Sequence, residues 1–116
     1  MKIYTYKKCG SCQKATKWLK NQNIPYEELA IRDEAPSVSE LKTMLESYDG
    51  EIRKLFNTSG KDYREGNYKE VLKTATQDEL LADLNGNGNL IKRPFVLSDK
   101  GNLVGFSEEI WDKTFK

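Results

Sequence analysis

Apolar and polar positions along the chain follow two rhythms. In Lys2 to Tyr6, Ile3, Tyr4 and Tyr6 bring β propensity to an alternating stretch, which predicts a first strand. From Cys12 to Gln22 the period lengthens. Cys12, Ala15, Trp18 and Leu19 share one helical face, while Gln13, Lys14, Lys17 and Lys20 point elsewhere. Asn23 ends this helix and Pro25 blocks its continuation. Tyr26 to Ile31 reads as a second strand. Strand, helix, strand at this spacing is a βαβ unit, so the two strands should be parallel.

The middle of the chain is helical. Ser37-Val38-Ser39-Glu40 fits a capping box, and Leu41, Met44, Leu45 and Tyr48 follow at i, i+3, i+4 and i+7. Asp49-Gly50 breaks the run. Ile52, Leu55 and Phe56 mark a short helix stopped near Ser59-Gly60, and Tyr68 to Lys73 marks another. Thr76-Gln77-Asp78-Glu79 is a second capping box, ahead of Leu80, Leu81 and Leu84. Asn85-Gly86-Asn87-Gly88-Asn89 should close that helix with residues that tolerate positive φ.

Strands return at the end. Leu90 to Leu97 is expected as one, interrupted by Pro94, and Leu103 to Phe106 as its hairpin partner across Ser98–Asn102. Ser107 caps a last helix holding Ile110, Trp111 and Phe115. The order is β-α-β, helical insert at about 37–86, then β-β-α, in a single domain over 1–116. The expected core includes Ile3, Leu19, Ile31, Leu41, Leu84, Val96, Val104 and Trp111. Trp18 is read as core as well.

Composition narrows the function. With 19 Lys and Arg against 18 Asp and Glu, the net charge of +1 makes no global case for nucleic acid or an anionic membrane. No run is apolar enough for a membrane span or a secretion signal, which points to the cytoplasm. A monomer is expected. There is no histidine, so Ser-His and Cys-His catalysis are excluded, as are mixed Cys/His zinc sites.

Both cysteines lie in Cys9-Gly10-Ser11-Cys12, between a strand and a helix. A bridge that short closes almost no chain and cannot brace a fold, so redox or metal work is indicated. Free N–H groups and the dipole at a helix N-terminus favour a thiolate, and Lys7 and Lys8 add positive charge. Cys9 is the expected nucleophile and Cys12 the resolving thiol. Gly10 lets the backbone turn closely around the sulfur. Two alternatives stand beside this one: a pair of buried structural cysteines, or half of a zinc site completed by a second chain. Pro94 sits within an apolar strand. It marks either an edge or bulge, or a cis proline facing the cysteines with backbone groups free to pair with a substrate chain. Arg93 is either a solvated charge or the holder of an anion or thiolate. Arg64 with Glu65, and Lys69 to Lys73, read as solvated faces.

Three ordered segments carry a resemblance: Tyr4 to Ala15 around the cysteines, Leu55 to Glu65, and Leu90-Ile91-Lys92-Arg93-Pro94. Together they resemble the ArsC/Spx family of glutaredoxin-linked arsenate reductases and Spx-type redox regulators. The resemblance implies a thioredoxin-like α/β fold, a mixed four-stranded sheet with a helical insert, and a cis Pro94. Arsenate reductases of this type use one cysteine, matched by Cys9, and three oxyanion-binding arginines. Arg93 matches one, but Asn57, and Gly105 or Phe106, stand where the other two are expected. Cys12 matches instead the CxxC of the regulators, which bind the C-terminal domain of the RNA polymerase α subunit. The expected function is a thiol–disulfide oxidoreductase acting through a mixed disulfide, with the redox-sensing regulator as the alternative. Catalysis falls to Cys9 and Cys12, and substrate contact to Gly10, Ser11, Arg93 and Pro94. No bound cofactor or metal is implied. An external thiol such as glutathione, glutaredoxin or thioredoxin would serve as reductant.

Overall fold

The computed structural model describes residues Met1–Lys116. Strand β1 (Lys2–Thr5) leads into helix α1 (Gly10–Asn21) and strand β2 (Glu27–Ala30). Four helices follow: α2 (Val38–Ser47), α3 (Lys61–Glu65), α4 (Tyr68–Thr74) and α5 (Gln77–Gly86). Short 3-10 turns cover Ile52–Leu55 and Gly88–Leu90. Strands β3 (Phe95–Leu97) and β4 (Leu103–Val104) and helix α6 (Glu108–Phe115) complete the chain.

The sheet has four strands in the order β2-β1-β3-β4. β1 and β2 are parallel, as the βαβ reading requires, with Tyr4 opposite Leu29. β3 runs antiparallel to β1, with Ile3 opposite Val96, and β4 antiparallel to β3. Alternation along the central strands divides the core between the two faces. Ile3 and Val96 join Ala15, Trp18, Leu19, Trp111 and Phe115 beneath α1 and α6. Tyr4 and Phe95 point the other way, into a larger cluster with Leu41, Met44, Phe56, Leu81, Leu84 and Ile91 beneath the insert. Trp18 and Trp111 meet edge to face at 5.7 Å, so both tryptophans are core. This is the thioredoxin-like arrangement, mixed α/β, with helices on both faces of one sheet.

Both capping boxes form. Ser37 and Thr76 each accept from the backbone three residues on, and Glu40 and Glu79 reach back to the cap N–H. Ser107 caps α6 in the same sense. Asn23 ends α1 in the left-handed region at φ 58°, and Asp49-Gly50 close α2 at φ 57° and 79°.

Several sequence expectations need correction. α1 begins at Gly10, not Cys12, because Cys9 acts as its cap. α3 lacks any sequence counterpart: it is little more than one turn and buries only Tyr63. No residue of Asn85–Asn89 takes positive φ. Gly88 is needed for a different reason: a Cβ there would lie 1.9 Å from the carbonyl oxygen of Ile31. The Leu90–Leu97 strand shrinks to Phe95–Leu97, since β1 offers only Lys2–Tyr4 to pair with it. Ile91 instead bridges to Phe56. Val104 is half-buried, because β4 is an edge strand. No helix is long and apolar enough to cross a membrane.

Candidate functional site

β1 ends beneath the N-terminus of α1, and the connecting residues hold the cysteines. The Tyr6 carbonyl accepts from the Cys9 N–H at 2.9 Å, which fixes the loop. The Gln13 side chain ties it again, donating to the Lys7 carbonyl at 2.9 Å. Cys9 is the N-cap: its Sγ accepts from the Cys12 backbone N–H at 3.2 Å. A sulfur does here what a serine or aspartate oxygen does at most caps. One of the four unpaired N–H groups of the helix, at the positive end of its dipole, is thus aimed at the Cys9 sulfur and stabilises negative charge on it.

The two thiols occupy different environments. Cys9 is half-buried, whereas Cys12 lies one turn into the apolar face and is 2% exposed. Burial pushes the Cys12 thiol up to about 12, and its hydrogen bond with the Cys9 side chain acts in the same direction. The Arg93 charge opposes both without reversing them. Both cysteines are free thiols.

Arg93 reaches this site from the other half of the fold. Its guanidinium lies 5.0 Å from the Tyr6 ring centroid, and its buried Nη1 has no hydrogen-bond partner within the protein. A second guanidinium, from Arg32, lies 4.7 Å from the same ring and donates to the Tyr6 hydroxyl at 2.8 Å. Tyr6 therefore holds Cys9 through its carbonyl and carries two cations on its side chain. Nothing in its spacing singles it out, since it reads as one more strand aromatic. Arg32 is equally silent in the sequence.

The Arg93–Pro94 bond is cis. The Pro94 carbonyl is not free for a substrate, because it accepts from the Gly105 N–H at 2.8 Å. The backbone N–H and carbonyl of Arg93 make no hydrogen bond within the protein. Ser11 and Arg93 share a cleft of about 290 Å³ with Tyr48, Phe106 and Ile110. Gly10 does not make the tight turn expected of it: it is the first helical residue, with open space where a Cβ would stand. It leaves the surface beside Cys9 low. No three His, Cys, Asp or Glu side chains gather as ligands of a metal ion would.

The two other arginine positions of the resemblance have different occupants for structural reasons. Gly105 sits at φ +78°, a backbone setting that side chains rarely adopt. Phe106 packs edge to face on Trp111 at 4.9 Å. Asn57 covers Gly60, whose Cβ would meet the Asn57 amide at 2.7 Å.

A four-stranded thioredoxin-like sheet, with a cysteine cap on its first helix and helices inserted between its halves, defines the chain as a thioredoxin-like protein. Within that class it belongs to the ArsC family, whose model matches residues 4–114. It is 41% identical over 113 residues to YusI of Bacillus subtilis, covering 97% of this chain and 96% of that protein. It is 32% identical over 107 residues to the global transcriptional regulator Spx of Staphylococcus epidermidis, covering 92% and 80%. A solved structure of a Bacteroides fragilis protein described as ArsC family related matches with a TM-score of 0.90 at 42% identity, over 97% of this chain and 95% of that one.

Proposed function

We propose that the protein is a thiol–disulfide oxidoreductase in which Cys9 attacks and Cys12 resolves. The observation that carries this reading is the hydrogen bond from the Cys12 N–H to the Cys9 Sγ, with the Cys12 thiol buried behind it. The Cys9 thiolate attacks one sulfur of a substrate disulfide. A mixed disulfide forms, and the other substrate sulfur departs as a thiolate. Cys12 then attacks the Cys9 sulfur and loses its proton to the departing substrate thiolate, leaving a Cys9–Cys12 disulfide. The substrate gains two electrons and two protons in all. An external thiol, such as glutathione or the dithiol of a glutaredoxin or thioredoxin, restores the reduced pair.

In this reading Gly10 and Ser11 form the low rim over which the substrate approaches. The Arg93 guanidinium brings positive charge to the cysteine pair, and its backbone N–H and carbonyl, unpaired within the protein, are a donor and an acceptor for an extended chain beside Pro94. Incubation of the reduced protein with hydroxyethyl disulfide, followed by intact mass, tests the scheme. The wild type should lose two hydrogens, Cys12→Ser should accumulate the mixed disulfide, and Cys9→Ser should stay unmodified. An adduct that forms on Cys12 when Cys9 is absent, at the wild-type rate, would reverse the roles.

The similarity to Spx favours a second reading, in which the same disulfide is a sensor and the output is binding to the C-terminal domain of the RNA polymerase α subunit. A pull-down with that domain, in oxidised and reduced forms, separates the two. Retention in one redox state only supports the regulator, and turnover without retention supports the enzyme.

A further inference from the structure

A cleft of about 840 Å³ lies in the helical insert, with neither cysteine in its lining. Its charge is one-sided. Arg53, Lys54, Lys69, Lys73 and Lys92 line it, against the single carboxylate of Glu51. Glu51 is already occupied by Lys54 at 2.6 Å, and Lys73 is paired with Glu70 at 3.4 Å. Arg53, Lys69 and Lys92 belong to no ion pair. In a chain whose net charge is only +1, this is a local concentration of cations. Ile52, Phe56, Tyr63 and Leu72 supply its apolar surface, so it combines a cationic rim with a hydrophobic floor. The cations come from three separate parts of the chain: the Ile52–Leu55 turn, α4, and the residue before Arg93. No spacing rule joins them in the sequence, where Lys69 to Lys73 reads as a solvated face.

We infer that this cleft docks an acidic, apolar-anchored segment of a protein partner. A compact anion such as phosphate needs donors converging on one point, whereas these come from three separate parts of the chain around a cleft of about 840 Å³. A segment alternating carboxylates with leucine or phenylalanine matches both rim and floor. The cleft also adjoins a second one. Lys92 lines it and, equally, the small cleft that holds Ser11 and Arg93. A segment seated in the insert thus continues past Lys92 toward the cysteine pair. Resting on the redox reading above, this assigns the substrate class: proteins carrying a disulfide next to an acidic stretch.

The test uses the full chain and a fluorescein-labelled twelve-residue peptide of Glu and Asp with two Leu and one Phe, followed by anisotropy. Binding should weaken about tenfold or more in Arg53→Glu with Lys69→Glu, and should weaken with salt. A peptide with Ser in place of Leu and Phe should bind more weakly than the parent. Equal binding to wild type and variant, equal binding of the Ser peptide, or no binding at all overturns the proposal. Both substituted side chains are exposed, and circular dichroism checks that the variant is folded. Reaction with hydroxyethyl disulfide should be unchanged in the variant. Failure of that reaction in the wild type would sink the redox reading while leaving peptide binding to decide the docking site.

Discussion

The Cys12 backbone N–H donates to the Cys9 sulfur across 3.2 Å, while the Cys12 thiol itself is buried on the apolar face of α1. One residue thus stabilises charge on its neighbour's sulfur with its backbone and keeps its own sulfur neutral. The asymmetry has a direct chemical consequence. With its thiol pushed up to about 12, Cys12 is almost wholly neutral at pH 7. Limiting iodoacetamide at neutral pH should therefore label Cys9 first and leave Cys12 almost untouched. In guanidinium chloride, where burial is lost, the two should label at similar rates. Preferential labelling of Cys12 in the folded protein would reject the assignment.

Arsenate turnover with glutathione and glutaredoxin should be near background. Of the arginines that the family resemblance calls for, only Arg93 has its counterpart here. A left-handed glycine, a ring packed on Trp111 and the amide over Gly60 occupy the other positions. Each lost charge-assisted hydrogen bond to an oxyanion costs about 1.5–3 kcal/mol, so two together remove roughly 10²–10⁴ in binding. Robust turnover would mean that other cations, Arg32 foremost, replace them.

Oxidation to a Cys9–Cys12 disulfide should leave the fold intact. Neither cysteine belongs to either apolar cluster, and the ring closed by the bond is only four residues long. Loop entropy then adds about 2 kcal/mol at most. Amide shifts between the two forms should cluster in residues 7–16 and at Tyr6 and Arg93. Unfolding on reduction would make the bond structural.

What could be read from the sequence divides along physical lines. The capping boxes at Ser37 and Thr76 were legible because each is set by two side chains three residues apart. The face of α1 was legible because Cys12, Ala15, Trp18 and Leu19 repeat with the helix. The start of that helix was not, since cysteine is an uncommon cap and Gly10-Ser11 resembles a turn. The extent of β3 depends on the length of β1, a partner more than ninety residues away in the chain. Tyr6, Arg32 and the basic cleft owe their places to tertiary packing alone. The cysteine pair itself was legible, because its chemistry and its βα junction are both local.

Gly88→Ala should destabilise the protein by about 3 kcal/mol, an overpacking cost against backbone that cannot step aside. The added Cβ would meet the Ile31 carbonyl oxygen at 1.9 Å and its carbon at 2.8 Å. Gly86→Ala, two residues earlier and with nothing within 4 Å, is the control and should be neutral or slightly stabilising. Denaturant midpoints measure both. Equal midpoints would show that the Gly88 turn is free to move away from the Ile31 carbonyl.

Stability should also depend on pH through Glu40. Glu40 joins α2 to β1: its carboxylate accepts from Lys2 at 2.9 Å, from the Tyr4 hydroxyl at 2.8 Å and from the Ser37 backbone at 3.0 Å. Burial by itself would raise its pKa. The hydrogen bonds from Lys2, the Ser37 backbone and Tyr4 together outweigh it and hold the group below its ordinary value of 4.5. The folded state therefore binds this proton less readily than the unfolded chain does. By linkage, the stabilisation is fully present above pH 4.5 and is lost as pH falls through the lower, folded value. Glu40→Gln removes the charge but keeps much of the shape, and should cost about 1–2 kcal/mol at neutral pH. The gap between wild type and variant should stay constant from about pH 7 to 5 and narrow below that. Urea midpoints at stepped pH values measure the gap directly. A gap that persists unchanged to about pH 3, or that widens in acid, would show that the link between β1 and α2 does not depend on the Glu40 charge.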